Sequence, residues 1–285
     1  MVEIKFLSNY CKTLLMKPIL NYLKNILSAI ISKSVELLYL VTNYKLNSYF
    51  INDYIQKLDH KESKKYNNIV SGGPFKGLII DDSHRRKLNV LLGNFESDVQ
   101  TILYEKAKSG VYKTFINIGG ADGFYALGLM KTGFFENVIV YETLEEYRNN
   151  IKKNQNTNNL EGLKILGHCD SEELTNILKM YKSPLILCDI EGGEFDLFNN
   201  DNVSYLKNST IIIEIHQFND NDITKYEQLK KKFAKTHLIR EIHQRYIQTN
   251  KLDSLKHLKD LDILMLLNEN RRIRGLWLLL EPKQQ

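Results

Sequence analysis

The chain has 285 residues, 43% of them hydrophobic and 26% charged, with four prolines and fifteen glycines. These proportions exclude a disordered, collagenous or disulfide-scaffold chain and leave room for one large domain, or for a domain with an appendage. Thirty-nine basic against 34 acidic residues give a net charge of +5, carried by scattered lysines. Nucleic-acid binding calls for a clustered basic face with aromatic stacking positions, so no nucleic-acid partner is expected.

Charges at Glu3, Lys5, Lys12 and Lys17 break up the start of the chain, which shows neither the apolar run nor the small-residue cleavage site of a signal peptide. The cysteines Cys11, Cys169 and Cys188 are odd in number and form no C-x-x-C pair, which fits a reducing cytoplasm. Cys169 and Cys188 read as small buried residues rather than nucleophiles. From Pro18 to Tyr44 the chain is apolar, but Lys24, Lys33 and Glu36 interrupt it before the ~18 to 20 residues that a membrane span needs. Ile19, Leu23, Ile26, Leu27 and Ile30 share one helical face, and a second helix is expected from Val35 to about Leu58. That apolar face can pack on the main domain, pair with a second copy as a homodimer, or lie on a membrane surface. It lacks the strongly basic polar side that favours the last of these.

A turn-rich stretch, Ser71 to Gly77, precedes Leu78-Ile79-Ile80 and the charged run Asp81 to Lys87, and marks a boundary. A helical stretch ending near Lys108 follows. Short β-rich runs then alternate with helical segments: Thr114 to Ile118, Asn137 to Tyr141, Leu163 to Leu166, Leu185 to Asp189 and Thr210 to Ile215, with Ile223 to Phe233 as a further helix. This alternation predicts an α/β domain with a parallel sheet. His237 to His243 and Asp262 to Leu267 are expected to complete it. The division is therefore a helical N-terminal extension over 1–70, a connecting or lid region over 71–109, and the α/β domain over 110–285.

The segment Phe115-Ile116-Asn117-Ile118-Gly119-Gly120-Ala121-Asp122-Gly123-Phe124-Tyr125 runs from a buried strand through a glycine turn into a helix start. Gly119 and Gly123 lack the side chains that would obstruct a nucleotide, and the helix start presents unpaired N–H groups. Glu142 stands twenty-three residues after Gly119, at the end of the next strand, where a carboxylate can accept both hydroxyls of a ribose. A dinucleotide fingerprint would read G-x-G-x-x-G, which this spacing does not match.

Written as Asn117-x-Gly119-x-Ala121-x-Gly123, the turn resembles the first motif of class I S-adenosylmethionine-dependent methyltransferases, and more narrowly that of the FkbM family. Tyr141-Glu142, Asn154, the run Leu187-Cys188-Asp189-Ile190-Glu191-Gly192-Gly193-Glu194 and Ile213-Glu214-Ile215-His216 match as well, over roughly residues 110 to 220. Gly73 to Gly77 and Leu91 to Glu96 look like a region found in a subset of that family. The resemblance implies a Rossmann-like, seven-stranded class I methyltransferase sheet with helices on both faces, behind the helical extension. It implies S-adenosylmethionine as cofactor, held by Asn117, Gly119, Gly120, Ala121, Gly123, Phe124, Tyr125, Glu142, Asp170 and Asp189. Asn117 departs from the family's usual acid, and an amide supplies no charge to the cofactor's ammonium group.

Methyl transfer to a hydroxyl or amide needs a base near the methyl group. The strand ends should gather Asp189, Glu191, Glu194, Glu214 and His216. His216 is the preferred base because an imidazole titrates near neutrality; the alternative is a histidine that merely bonds at a strand end. Asp189 and Glu191 are expected to orient cofactor or acceptor, whereas Glu194 could instead sit in the first turn of the following helix. A divalent ion could also bind here, although no H-x-x-H spacing supports one. Asp170 can meet the adenine amino group, cap the helix beginning at Ser171, or both. His84 to Lys87 and Asn268 to Arg272 are cationic runs that could meet an acidic acceptor or simply be solvated. Trp277 and Tyr125 could stack on a ring or fill core. The implied acceptor is a sugar or secondary-metabolite hydroxyl, with a peptide side-chain amide as rival, and a non-catalytic scaffold is the reading from a different class.

Overall fold

The computed structural model describes residues 22–28, 45–81, 87–216, 220–243, 253–267 and 275–283. Cys11, most of the predicted first helix, His84-Arg85-Arg86 and the run Asn268 to Arg272 lie outside the described residues. The chain divides into two compact units, Met1–Gln56 and Lys57–Gln285. In the first, residues 22–28 form helix α1, and helix α2 (Lys45–Ser63) begins at Lys45. Among the described residues no helix is long and apolar enough to cross a membrane.

In the second unit, α3 (Lys87–Leu92) and α4 (Ser97–Lys108) precede β1 (Thr114–Ile118), α5 (Phe124–Lys131), β2 (Asn137–Tyr141), α6 (Glu145–Thr157), β3 (Lys164–Leu166) and α7 (Ser171–Met180). They are followed by β4 (Leu185–Cys188), α8 (Glu194–Leu197), α9 (Asn200–Val203), β5 (Thr210–Ile215), α10 (Asp220–Phe233), β6 (His237–His243), α11 (Asp260–Leu267) and β7 (Leu276–Pro282). The sheet order is β3-β2-β1-β4-β5-β7-β6, and β7 alone runs opposite to the other six strands. This is the Rossmann-like, seven-stranded sheet with helices on both faces expected above.

The central strands are buried along their whole length because helices cover both faces, so they carry continuous apolar runs rather than an alternation. Successive residues still serve opposite cores. Phe115, Leu185, Leu187 and Ile212 enter one, and Ile116, Ile118, Ile186 and Ile213 the other.

One assignment differs from expectation. Asp262 to Leu267, predicted as a strand, belongs to α11, and the seventh strand is Leu276–Pro282 instead. A short apolar run has no decisive period. Here Leu and Met outnumber β-branched residues, and Asp260 and Asp262 suit the first turn of a helix, where its dipole favours acids. Residues 71–109, expected as a connecting or lid region, place Phe75, Leu78, Ile80, Val90, Val99 and Leu103 in the same core as β1 and β4. The Phe75 ring lies so close to α5 that a Cβ on Gly128 would come within 2.5 Å of it.

Candidate functional site

The β1–α5 turn is built by close backbone crossings. Gly119 has φ +86°, and a Cβ there would stand 1.7 Å from the Asp189 carbonyl oxygen. Its side chain is missing because strand β1 turns directly against the end of β4. A Cβ on Gly120 would meet Val140 Cγ2 at 2.2 Å, and Gly123, at φ +89°, packs against Leu127 and Ile151. A side chain at any of these glycines would meet the protein's own atoms. The N–H groups of Gly119 and Gly120 both donate to the Tyr141 carbonyl, which ties the turn to the end of β2.

Glu142 follows β2 and secures the same turn. Its Oε2 accepts the Ala121 N–H at 2.8 Å and its Oε1 the Leu144 N–H at 2.9 Å. Ala121 sits in the left-handed region, φ +45°, where a residue with a Cβ is uncommon.

Beyond the carboxyl ends of β1, β2, β3 and β4 opens a cavity of about 720 Å³. Gly119, Ala121 and Glu142 form one wall, Gly167, His168, Cys169 and Asp170 a second, and Asp189, Ile190 and Glu191 a third. The Asp170 Oδ1 accepts the Glu173 N–H at 2.8 Å, so Asp170 caps α7 while also lining the cavity. The capping reading of Asp170 is the one the contacts show.

Asn117, Gly120, Gly123, Phe124 and Tyr125 do not line this cavity. Phe124 and Tyr125 are buried in the core beside Phe75, and the Tyr125 hydroxyl donates to Glu96 Oε2 at 2.6 Å. Asn117 is buried; its Nδ2 donates to the Gly119 carbonyl at 3.3 Å, and its Oδ1 is sealed without a hydrogen-bond donor among the described residues. The sequence reading missed Leu144 and Tyr147, which line the cavity just past Glu142. The available signal was Leu144 itself, an apolar residue two positions after the strand-end acid Glu142, in the loop that leads into α6.

Against the third wall stands an acidic cluster around His216. The ring's Nε2 lies 3.4 Å from Glu191 Oε2, 3.7 Å from Asp189 Oδ1 and 3.9 Å from Glu214 Oε2, and Nδ1 lies 3.6 Å from Glu194 Oε1. The fold thus brings together the five residues expected at these strand ends. Burial alone would lower the pKa of His216, but Glu194, Glu214 and Glu191 hold it above its ordinary value. Asp189 is pushed well above the usual carboxylate range by burial and then by the charges of Glu214 and Glu96. Asp189, Glu214 and His216 each offer a ligand atom within 4.8 Å of the others, a set that could hold a divalent cation.

Glu194 opens α8, as the first-turn reading expected, and is fully buried. Cys169 and Cys188 are buried, and burial raises both thiols, that of Cys169 to about 12. Neither is suited to nucleophilic chemistry. Trp277 fills core on β7, and Lys87, the described end of one cationic run, is buried at the start of α3.

No family model matches the sequence, and no curated protein matches it. Among solved structures the chain is similar to a candidate O-methyltransferase from Klebsiella pneumoniae, at 9% identity over 86% of this chain and 97% of that one, with a TM-score of 0.48. It is also similar to the ribosomal protein L11 methylase of Lactobacillus delbrueckii subsp. bulgaricus, at 13% identity over 65% and 79%, with a TM-score of 0.41. A precorrin 8W decarboxylase from Methanobacterium thermoautotrophicum shares 12% identity over 65% and 89%, with a TM-score of 0.40. Likeness at these levels carries no function, so the chemistry rests on this chain's own residues.

Proposed function

We propose that this chain is an S-adenosylmethionine-dependent methyltransferase of FkbM type that methylates a hydroxyl of a sugar or secondary metabolite. The observation that carries the reading is the juxtaposition of the Glu142-walled cavity with the carboxylate cluster around His216, joined through Asp189 and Glu191. The acceptor class comes from the motif resemblance.

The cavity falls within the usual range for small-molecule sites, about 300 to 1,000 Å³. Glu142 offers carboxylate oxygens at the strand-end position that suits ribose hydroxyls. Glu191 places a carboxylate on the wall next to His216, which complements a cofactor whose reactive end is cationic. S-adenosylmethionine supplies a methyl group on a positively charged sulfur that departs as a neutral thioether. His216 takes the acceptor's proton, and Asp189 and Glu191 orient the acceptor and stabilise the imidazolium that results.

Calorimetry with S-adenosylmethionine and S-adenosylhomocysteine tests the cofactor. Binding of both is expected, and a folded protein that binds neither at millimolar ligand overturns the proposal in favour of a scaffold. Incubation of the protein with extracts and isotopically labelled cofactor should reveal an acceptor one methyl group heavier. Fragmentation of that product then separates a methylated oxygen from a methylated amide nitrogen.

A further inference from the structure

Glu194 stands out among the buried acids because its contacts tie two separate strand ends together. Its side chain is fully buried at the start of α8. Oε2 accepts the Gly192 N–H at 2.8 Å, and Oε1 accepts the backbone N–H of His216 at 2.7 Å. The same Oε1 lies 3.6 Å from His216 Nδ1, so one oxygen meets both the main chain and the ring of a residue twenty-two positions away.

The two ring nitrogens of His216 face different surroundings. Nδ1 faces Glu194, sealed in the interior, whereas Nε2 faces Asp189 and Glu191, which line the cavity, and Glu214. Carboxylates stand near both nitrogens, but Glu194 is buried and fixed by two main-chain N–H groups, whereas Glu191, the nearest to Nε2, is 81% exposed. The fixed, desolvated acceptor favours the tautomer with its proton on Nδ1. Nε2 then keeps its lone pair on the cavity side. The 3.6 Å separation exceeds a hydrogen bond, as such contacts often do before substrate tightens a site.

We infer that Glu194 is the positioning residue of a Glu194–His216 dyad, holding the proton on Nδ1 and aiming Nε2 at the acceptor hydroxyl. The inference rests on the methyl-transfer reading above. In the step it serves, the acceptor oxygen bonds to the methyl carbon as the carbon–sulfur bond breaks and its electron pair stays on sulfur. The acceptor proton moves to Nε2, and the imidazolium, flanked by Asp189, Glu191 and Glu214, later returns it to water.

Nitrogen-detected NMR of the imidazoles in the full-length protein tests the dyad, with His216→Gln identifying the His216 signals among seven histidines. The wild-type neutral ring should carry its proton on Nδ1. Glu194→Gln should lower the His216 pKa, move the tautomer toward Nε2–H, and cut kcat about a hundredfold with little change in the KM for cofactor. An Nε2–H tautomer in the wild type overturns the inference. So does a Glu194→Gln protein that keeps the wild-type tautomer, pKa and kcat. Because Glu194→Gln disturbs a buried group and can fail to fold, the wild-type tautomer decides by itself. Manganese that selectively broadens the Nε2 signal at stoichiometric amounts also overturns it, since Nε2 would then be a ligand and not a base. Failure of the wider reading looks different: the Nδ1–H tautomer would be present in a protein that binds no S-adenosylmethionine.

Discussion

The Glu142 carboxylate accepts the backbone N–H of Ala121 at 2.8 Å, so the acid that ends β2 is also the clasp of the β1–α5 turn. Its other oxygen holds the Leu144 N–H. Replacing Glu142 with alanine removes both acceptors as well as the ribose contact. The expected result is a loss of about 2 kcal/mol in stability and about tenfold or more in S-adenosylmethionine affinity, read by urea unfolding and calorimetry. Unchanged affinity in a folded Glu142→Ala protein would show that the ribose lies elsewhere.

Gly119 should tolerate no side chain. At φ +86° and 1.7 Å from the Asp189 carbonyl oxygen, a Cβ forces β1 and the end of β4 apart. Gly119→Ala is expected to destabilise the protein by about 3 kcal/mol or more, which a urea titration measures directly. A near-neutral value would mean that this crossing is looser than the structure indicates.

The pH dependence follows from the signs of two shifts. The His216 pKa is raised because its carboxylate neighbours outweigh its burial, so the stability drawn from the charged ring is complete below about pH 6.5 and is lost as pH rises through the higher folded-state value. Asp189 is raised too, and its contribution likewise fades as pH climbs from about 4. Wild type should therefore exceed His216→Gln in stability by more at pH 6 than at pH 9. If His216 is the base, kcat/KM should rise with pH around a midpoint above about 6.5. A stability gap that does not change with pH, or a midpoint below that value, contradicts the assignment.

Cys169 and Cys188 are buried, with both thiols raised by that burial. Of the three cysteines in the sequence, at most one should react with a thiol reagent in the native protein near pH 8, and all three after unfolding. Rapid labelling of two or more native thiols, counted by mass spectrometry, would contradict this.

Phe75 tests whether residues 71–109 are a separable lid. Its ring is 1% exposed and lies edge-on to Phe124 at 5.3 Å and to Tyr125 at 6.2 Å. Phe75→Ala should cost about 3 to 5 kcal/mol in a single cooperative transition. A lid would instead melt on its own and leave the sheet's transition in place.

Six of the expected strands, β1 to β6, were legible to within a residue, the buried parallel ones because such strands are short apolar runs between turn and helix signals. The same rule misled at α11, where an apolar run that resembles a strand is a helix buried on one side, and β7 went unassigned although Leu276–Pro282 is equally apolar. Period and composition cannot rank two such runs. Pairing with β5 and β6 does. Among candidate site residues, Glu142, Asp170, Asp189 and Glu191 line the cavity as the strand-end rule suggests, whereas Phe124 and Tyr125 face inward. A helix start shows which residues are near a turn but not which way each side chain points.

The sequence by itself determined the α/β alternation, the glycine turn and the gathering of acids and a histidine at neighbouring strand ends, since each is a local pattern tied to backbone geometry. Only the tertiary structure decided what those residues do to one another. Gly119 is glycine because Asp189 crosses above it, the lid-like segment is core because Phe75 packs on Gly128, and Glu194 reaches His216 across twenty-two residues. Such contacts depend on strand order and on the packing of distant elements, and no local period encodes either.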